Sequence, residues 1–116
     1  MITSRYSLLT YLFLCFIIVL PAQTAVQYWN TENGLSNDWV SQVMQDKEGY
    51  IWIATQYGLN RFDGYEFKNY YYDPSDSNSL SANWVRSMDQ DSSGIFWLGL
   101  YLGGIDRFDP IAGIAK

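Results

Sequence analysis

A unit of 45 residues (35 onto 80) occurs twice in this 116-residue chain and constrains its fold more than any other feature. Overlaying the copies puts Leu35 on Leu80, Ser36 on Ser81, Trp39 on Trp84 and Val40 on Val85. It also puts Gln45 on Gln90, Asp46 on Asp91, Gly49 on Gly94 and Trp52 on Trp97. With one more residue of offset, Gly58-Leu-Asn-Arg-Phe-Asp63 falls on Gly104-Ile-Asp-Arg-Phe-Asp109. The added residue lies in the loop Tyr101-Leu102-Gly103, where a surface connection tolerates it. A unit this short cannot bury its apolar surface alone, so its stability comes from stacking on neighbours.

Within the unit the pattern is that of short strands. Residues 40–45 are β-prone, and Asp46-Lys-Glu-Gly49 is a turn whose Asp bonds its own backbone and whose Gly takes positive φ. Residues 50–54 form a near-continuous apolar run, as in a strand covered on both faces. After Gln56-Tyr57-Gly58, residues 59–62 form a third strand that ends at the hairpin signal Asp63-Gly64. Residues 65–72 form a fourth, and the polar stretch Asp73-Pro-Ser-Asp-Ser-Asn-Ser79 leads into the next unit. Apolar residues do not recur at helical spacing. Four short antiparallel strands per unit of this length is the period of a propeller blade. The expected fold class is all-β: about two propeller blades, one at about 40–72 and an incomplete one at about 85–109, with a lone strand at 26–29 before them.

Composition excludes several chemistries. Twelve acidic against seven basic side chains give a net charge of −5, which argues against a nucleic-acid partner. With no histidine, the chain holds no Ser-His-Asp triad, imidazole base, His-ligated metal or phospho-accepting histidine. The lone cysteine, Cys15, allows neither an internal disulfide nor a Cys-rich zinc site. No cofactor is implied.

Residues 1–25 have the form of an export signal. Arg5 precedes thirteen uncharged residues from Leu8 to Leu20, then Pro21-Ala22-Gln23-Thr24-Ala25. Cleavage after Ala22 or Ala25 fits, with an uncleaved N-terminal anchor as the alternative. Thirteen residues are short for a membrane span. Bulky Leu12-Phe13-Leu14 before Cys15 argues against lipidation.

Three segments stand together in each unit. They are Asn33-Gly-Leu-Ser36 with Ser79-Leu-Ser81, Asp46-x-x-Gly49-x-x-Trp52-Ile-Ala-Thr55 with Asp91-x-x-Gly94-x-x-Trp97-Leu-Gly99, and Gly58-Leu-Asn-Arg-Phe-Asp-Gly64 with Gly103-Gly-Ile-Asp-Arg-Phe-Asp-Pro110. Together they resemble the two-component regulator propeller repeat, and the resemblance covers residues 26–110. Such blades form the periplasmic sensor of hybrid histidine kinases of Bacteroidetes. The resemblance implies many blades, a membrane span and a cytoplasmic kinase, with oligosaccharide sensing outside and gene control inside. It further implies the remaining propeller blades as partners, a homodimer when full length, and an inner-membrane protein. This chain is expected to be a truncated N-terminal piece of such a sensor.

Candidate residues divide into two groups. Asp46, Gly49, Trp52, Asp91, Gly94 and Trp97 read as structural, the tryptophans as interblade core and the others as turn formers. Arg61 and Arg107, matched to Asp63 and Asp109, read as a repeated ion pair tying blades together. Asp73, Asp76 and Asn78 lack the Gly and distal Glu of an EF-hand, and no metal site is expected. The ligand candidates are Trp39 and Trp84, which open the first strand of each blade near one rim of the channel. A ring there can stack on a sugar's apolar face while Asn37, Asp38 and Asn83 bond hydroxyls, and Tyr57 and Tyr101 sit in the loops between second and third strands.

No catalytic residue is assigned, because every repeated carboxylate has a structural explanation. The expected function is ligand sensing by an exported propeller fragment. The rival readings are the start of a propeller glycosidase or lyase, a lectin-like module whose short chains self-assemble, and a gene remnant.

Overall fold

The computed structural model describes Pro21 and residues 25–116. The expected signal segment, with Cys15, therefore lies outside the described residues except for Pro21 and Ala25. Residues 25–30 run without strand pairing, which corrects the expected lone strand at 26–29. An edge segment needs a partner strand to complete its ladder, and none lies beside it among the described residues. A single 3-10 turn, Thr31–Asn33, follows, capped by Asn30 and closed by Gly34 at φ 116°.

Two four-stranded antiparallel meanders make up the rest. The first contains β1 (Val40–Gln45), β2 (Ile51–Thr55), β3 (Gly58–Phe62) and β4 (Phe67–Tyr70). The second contains β5 (Val85–Gln90), β6 (Phe96–Leu100), β7 (Gly104–Asp109) and β8 (Ile114–Ala115). Strand β4 is shorter than the expected 65–72, because the Tyr65 and Glu66 amides turn back onto the Asp63 carboxylate. Strand β8 corrects the expectation of an incomplete second blade at about 85–109. It pairs Ala115 with Phe108 and Ile114 with Asp109. The Asp109 carboxylate accepts the Ile111 and Ala112 amides, forming the turn that brings the chain back.

Alternation along the strands decides what each sheet buries. Trp52, Ala54 and Leu59 face the second sheet and have lost all solvent contact. Phe96, Leu98, Val85, Met88 and Phe108 meet them from the other side. Trp52 is the centre of this layer. Its ring lies edge-on to Phe96 at 4.8 Å and to Phe108 at 5.6 Å, and it stacks on Tyr70 at 5.7 Å. Offset and edge-to-face geometries are those that aromatic quadrupoles favour.

Polar groups fix how the sheets sit. The Gln42 amide spans the gap, donating to Met88 O at 2.9 Å and accepting from Met88 N at 2.8 Å. It satisfies both backbone groups of one β5 residue, as a neighbouring strand would. At the other end of β1 the Lys47 ammonium donates to the Asp91 and Ser92 carbonyls.

Candidate functional site

The end of the sheets where β1 and β5 begin gathers most of the exposed aromatic residues anticipated as ligand contacts. Trp39 and Trp84 lie one residue before those strands, and their carbonyls accept from Gln56 N at 3.0 Å and Tyr101 N at 2.9 Å. Each tryptophan is thereby tied to the turn between the second and third strands of its own sheet. The register of the first pair of strands slips between Val40 and Gln42, and between Val85 and Ser87. A bulge of this kind re-aims the side chains beside it.

In the second sheet the two expected residues meet. The Trp84 and Tyr101 rings lie 4.3 Å apart, with the Arg86 guanidinium 5.8 Å from the Tyr101 ring centre. In the first sheet Tyr57 finds a different partner, Tyr71, at 5.6 Å. Trp39 projects into solvent at 67% exposure. The two halves of the rim are joined where Gly58 N donates to Asn83 O at 2.6 Å.

The two asparagines are partly engaged. Asn37 Oδ1 accepts from Trp39 N at 2.8 Å, and Asn83 Oδ1 accepts from Tyr72 N at 2.9 Å. Their amide nitrogens, rather than their oxygens, are what the rim offers a ligand hydroxyl. Flat, half-exposed rings with a cation and amide donors suit a polyhydroxylated ligand with an apolar face.

The structural residues behave as a repeated device. Asp46 accepts from the Glu48 and Tyr50 amides and, through Oδ2, from the Trp52 indole at 2.7 Å. Asp91 repeats this with the Ser93 and Ile95 amides and the Trp97 indole at 3.0 Å. Gly49 and Gly94 close these turns at φ 93° and 92°, a region that disfavours side chains.

Two expectations need correction. Trp97 is not core: it is 46% exposed, while its counterpart Trp52 is fully buried. The second sheet covers Trp52, and no sheet covers Trp97 among the described residues. Nor do the matched arginines and aspartates act as ion pairs between blades. Asp63 and Asp109 cap turns, while Arg61 lies over the Tyr50 ring at 4.7 Å. Amide donors capture a short carboxylate next to them more readily than a long, mobile guanidinium does.

Sequence reasoning missed one constellation. Buried Asn60 accepts from Ser36 N at 2.9 Å and donates to Ser36 Oγ at 2.8 Å. Buried Asp106 accepts from Ser81 N at 2.8 Å and from Ser81 Oγ at 2.6 Å. The signal was present, since Ser36 and Ser81 are identical and Asn60 and Asp106 are polar residues at matched places in apolar strands. A concavity of about 580 Å³ opens at the far end of the sheets, between the two Asp-anchored turns and beside Tyr50 and Arg61. Among the described residues no group of three or more His, Cys, Asp or Glu side chains is placed to hold a metal.

Comparison with known proteins agrees with this architecture. The family model described as two component regulator propeller matches residues 34–57. Histidine kinase P4 of Formosa agariphila is 49% identical over 45 residues, which are 39% of this chain and 3% of that protein. The extracellular domain of the hybrid two component system BT3049 from B. thetaiotaomicron superposes with a TM-score of 0.70 at 32% identity, covering 78% of this chain and 13% of that one. The extracellular domain of the one component system BT4673 from the same organism superposes with a TM-score of 0.60 at 22% identity, over 78% of this chain and 12% of that one. The chain thus spans a small fraction of the relatives it matches. The family model thus falls on the first of the two units, and the chain folds here as two propeller blades.

Proposed function

We propose that this chain is a ligand-sensing propeller piece of an extracytoplasmic two-component sensor, and that its aromatic rim contacts an oligosaccharide. The observation that carries the ligand reading is the pair of half-buried Trp84 and exposed Tyr101, 4.3 Å apart and flanked by Arg86. The two rings, tilted by 39° and in contact, are already ordered, so a sugar ring meets them at little entropic cost. The resemblance to extracellular sensor domains supports a place outside the cytoplasm. In this reading the full-length sensor is an inner-membrane homodimer whose periplasmic part includes this chain. In this reading the chain binds and performs no reaction. Binding biases how blades pack, and a kinase elsewhere in the sensor reads that bias.

Titration calorimetry with a panel of neutral and acidic hexasaccharides tests the reading. The expected result is binding by at least one of them, weakened about tenfold or more in Trp84→Ala, the loss of one good aromatic anchor. Binding by none, or binding that Trp84→Ala leaves unchanged, overturns it. Cleavage of any hexasaccharide favours the glycosidase reading instead.

A further inference from the structure

The concavity of about 580 Å³ at the Asp46 end of the sheets has a wall from each sheet. Arg61 pairs with Trp52 in the β2–β3 ladder and so shares the face turned to the second sheet. Tyr50, two residues before Trp52, lies on that face too. The turn at 92–95, with Pro110 and Ile111 beyond β7, forms the opposite wall. Lys47 ties the two together. Its amide donates to Gln90 Oε1 at 3.1 Å, and its ammonium donates to the Asp91 and Ser92 carbonyls at 3.1 and 2.9 Å. The volume lies within the range of small-ligand pockets.

Packing that every unit shares does not account for this cleft. In the second unit Ser92 stands where Lys47 does and Ile95 where Tyr50 does, so of these three residues only Arg61, matched by Arg107, belongs to the repeat. Both walls are held in place. Tyr50 N donates to Asp46 Oδ1 and Tyr50 O accepts from Asp46 N, each at 2.9 Å. Across the gap, Ile111 N donates to Asp109 Oδ1 at 2.9 Å.

Arg61 is the group whose charge goes unmatched. Its guanidinium is half-buried and lies 4.7 Å from the Tyr50 ring centre. It forms no ion pair among the described residues, and residues 1–24 contain no acid to supply one. The acids beside the cleft are otherwise engaged. Asp46 spends both oxygens on two turn amides and the Trp52 indole, and Asp63 is held by the Tyr65 and Glu66 amides. Asp109 uses Oδ1 for the Ile111 and Ala112 amides. The Glu48 carboxylate and Asp109 Oδ2 remain as acceptors. The cleft therefore offers a planar cation, two acceptors of hydroxyl protons and an apolar wall of Ile95, Pro110 and Ile111. A guanidinium fork matches one carboxylate bidentately. The carboxylates around it repel a ligand with several negative charges.

We propose that this cleft binds a sugar acid, a hydroxylated monocarboxylate of the uronate class. Its carboxylate lies on Arg61, and its hydroxyls donate to Glu48 and Asp109. The site is separate from the aromatic rim at the opposite end of the sheets. The inference does not rest on the rim's reading, which Trp84→Ala tests on its own.

NMR-monitored titration of the full chain with glucuronate, glucose and acetate provides the test. Glucuronate is expected to bind at least about tenfold more tightly than either of the others, since glucose lacks the carboxylate and acetate lacks the hydroxyls. Arg61→Gln is expected to weaken glucuronate about tenfold or more, and Arg61→Lys to fall between, because an ammonium keeps the charge without the fork. Near-ultraviolet circular dichroism checks that both variants keep the native fold, and the comparison of the three ligands on the wild type needs no variant. Trp84→Ala is expected to leave glucuronate binding unchanged. No binding of glucuronate overturns the proposal. So does glucose binding as tightly, which removes the role of Arg61, or acetate binding as tightly, which removes that of the acceptors. Binding that Arg61→Gln leaves intact, or that Trp84→Ala abolishes, places the ligand elsewhere and overturns it as well.

Discussion

The carboxylate of Asp46 accepts the indole N–H of Trp52 at 2.7 Å while the same side chain holds the Glu48 and Tyr50 amides. One short residue thus closes the β1–β2 turn and satisfies the one polar atom of the largest side chain in the core. The spacing Asp-x-x-Gly-x-x-Trp follows from this geometry. The Gly lets the turn reverse, and the strand after it presents Trp six residues beyond Asp, opposite Met44 on β1.

Asp46→Ala is therefore expected to lower stability by about 2–3 kcal/mol, since it strands a buried indole donor and two turn amides. Asp46→Asn keeps an acceptor and is expected to cost less. Asp91→Ala, at the matched but solvent-facing position, is expected to cost less than Asp46→Ala. Urea unfolding followed by tryptophan fluorescence orders the three variants, and an Asp91→Ala loss equal to that of Asp46→Ala contradicts the argument.

The Asp-anchored turn was legible in the sequence because it is local and occurs twice. Strands β1, β2 and β3 were legible too, from β-branched and aromatic runs between turn residues. The paired Trp97 and Trp52 show where legibility ends. Their sequence contexts match, yet one is buried and the other is not, because burial depends on which sheet arrives from elsewhere. Strand β8 was hidden for a related reason. Ile114 and Ala115 carry no strand pattern of their own and pair only because the Asp109 turn returns them to β7. At the rim, the pairing of Trp84 with Tyr101 was within reach of the sequence, whereas the choice of Tyr71 as the partner of Tyr57 required the path of the chain after β4.

The turn carboxylates also set an acid limit. The Ser93 hydroxyl, then the Trp97 indole, hold Asp91 down from the ordinary 3.8 to about 2. The Glu66 and Tyr65 amides lower Asp63, and the Ser75 hydroxyl lowers Asp73. A carboxylate depressed in the folded state takes up its proton more readily when unfolded, so its contribution is present above the unfolded value and lost on acidification. Stability is expected to be flat at neutral pH and to fall as pH drops from about 4 towards 2. Denaturation midpoints measured across this range should show the fall, and Asp91→Asn should make it shallower. A midpoint insensitive to pH in that window contradicts the assignment.

The missed serine clasp makes its own prediction. Asp106 is buried and accepts two bonds from Ser81, which fixes the segment entering the second blade. Ser81→Ala removes one of those donors from a buried carboxylate and is expected to cost about 1–3 kcal/mol. Asp106→Asn, which supplies the group already present at Asn60, is expected to be tolerated better than Asp106→Leu. Thermal unfolding of the three variants checks the order, and a well-tolerated Asp106→Leu contradicts the polar role.

Two glycines with similar backbone angles separate strain from crowding. Gly58 and Gly64 sit at φ 105° and 103°. A methyl group added at Gly58 would lie 2.6 Å from the Tyr70 carbonyl oxygen and 2.9 Å from the Tyr71 ring, against backbone that cannot yield cheaply. At Gly64 it would meet nothing within 4 Å. Gly64→Ala is thus expected to cost only the left-handed backbone penalty, about 1 kcal/mol. Gly58→Ala adds a clash beside the bond that Gly58 N donates to Asn83 O, so it is expected to cost well over that and to disturb the rim. Chemical denaturation compares the two, and tyrosine fluorescence reports whether the Tyr57–Tyr71 contact shifts in Gly58→Ala. Equal losses from the two substitutions contradict the crowding argument and leave backbone strain as the whole effect.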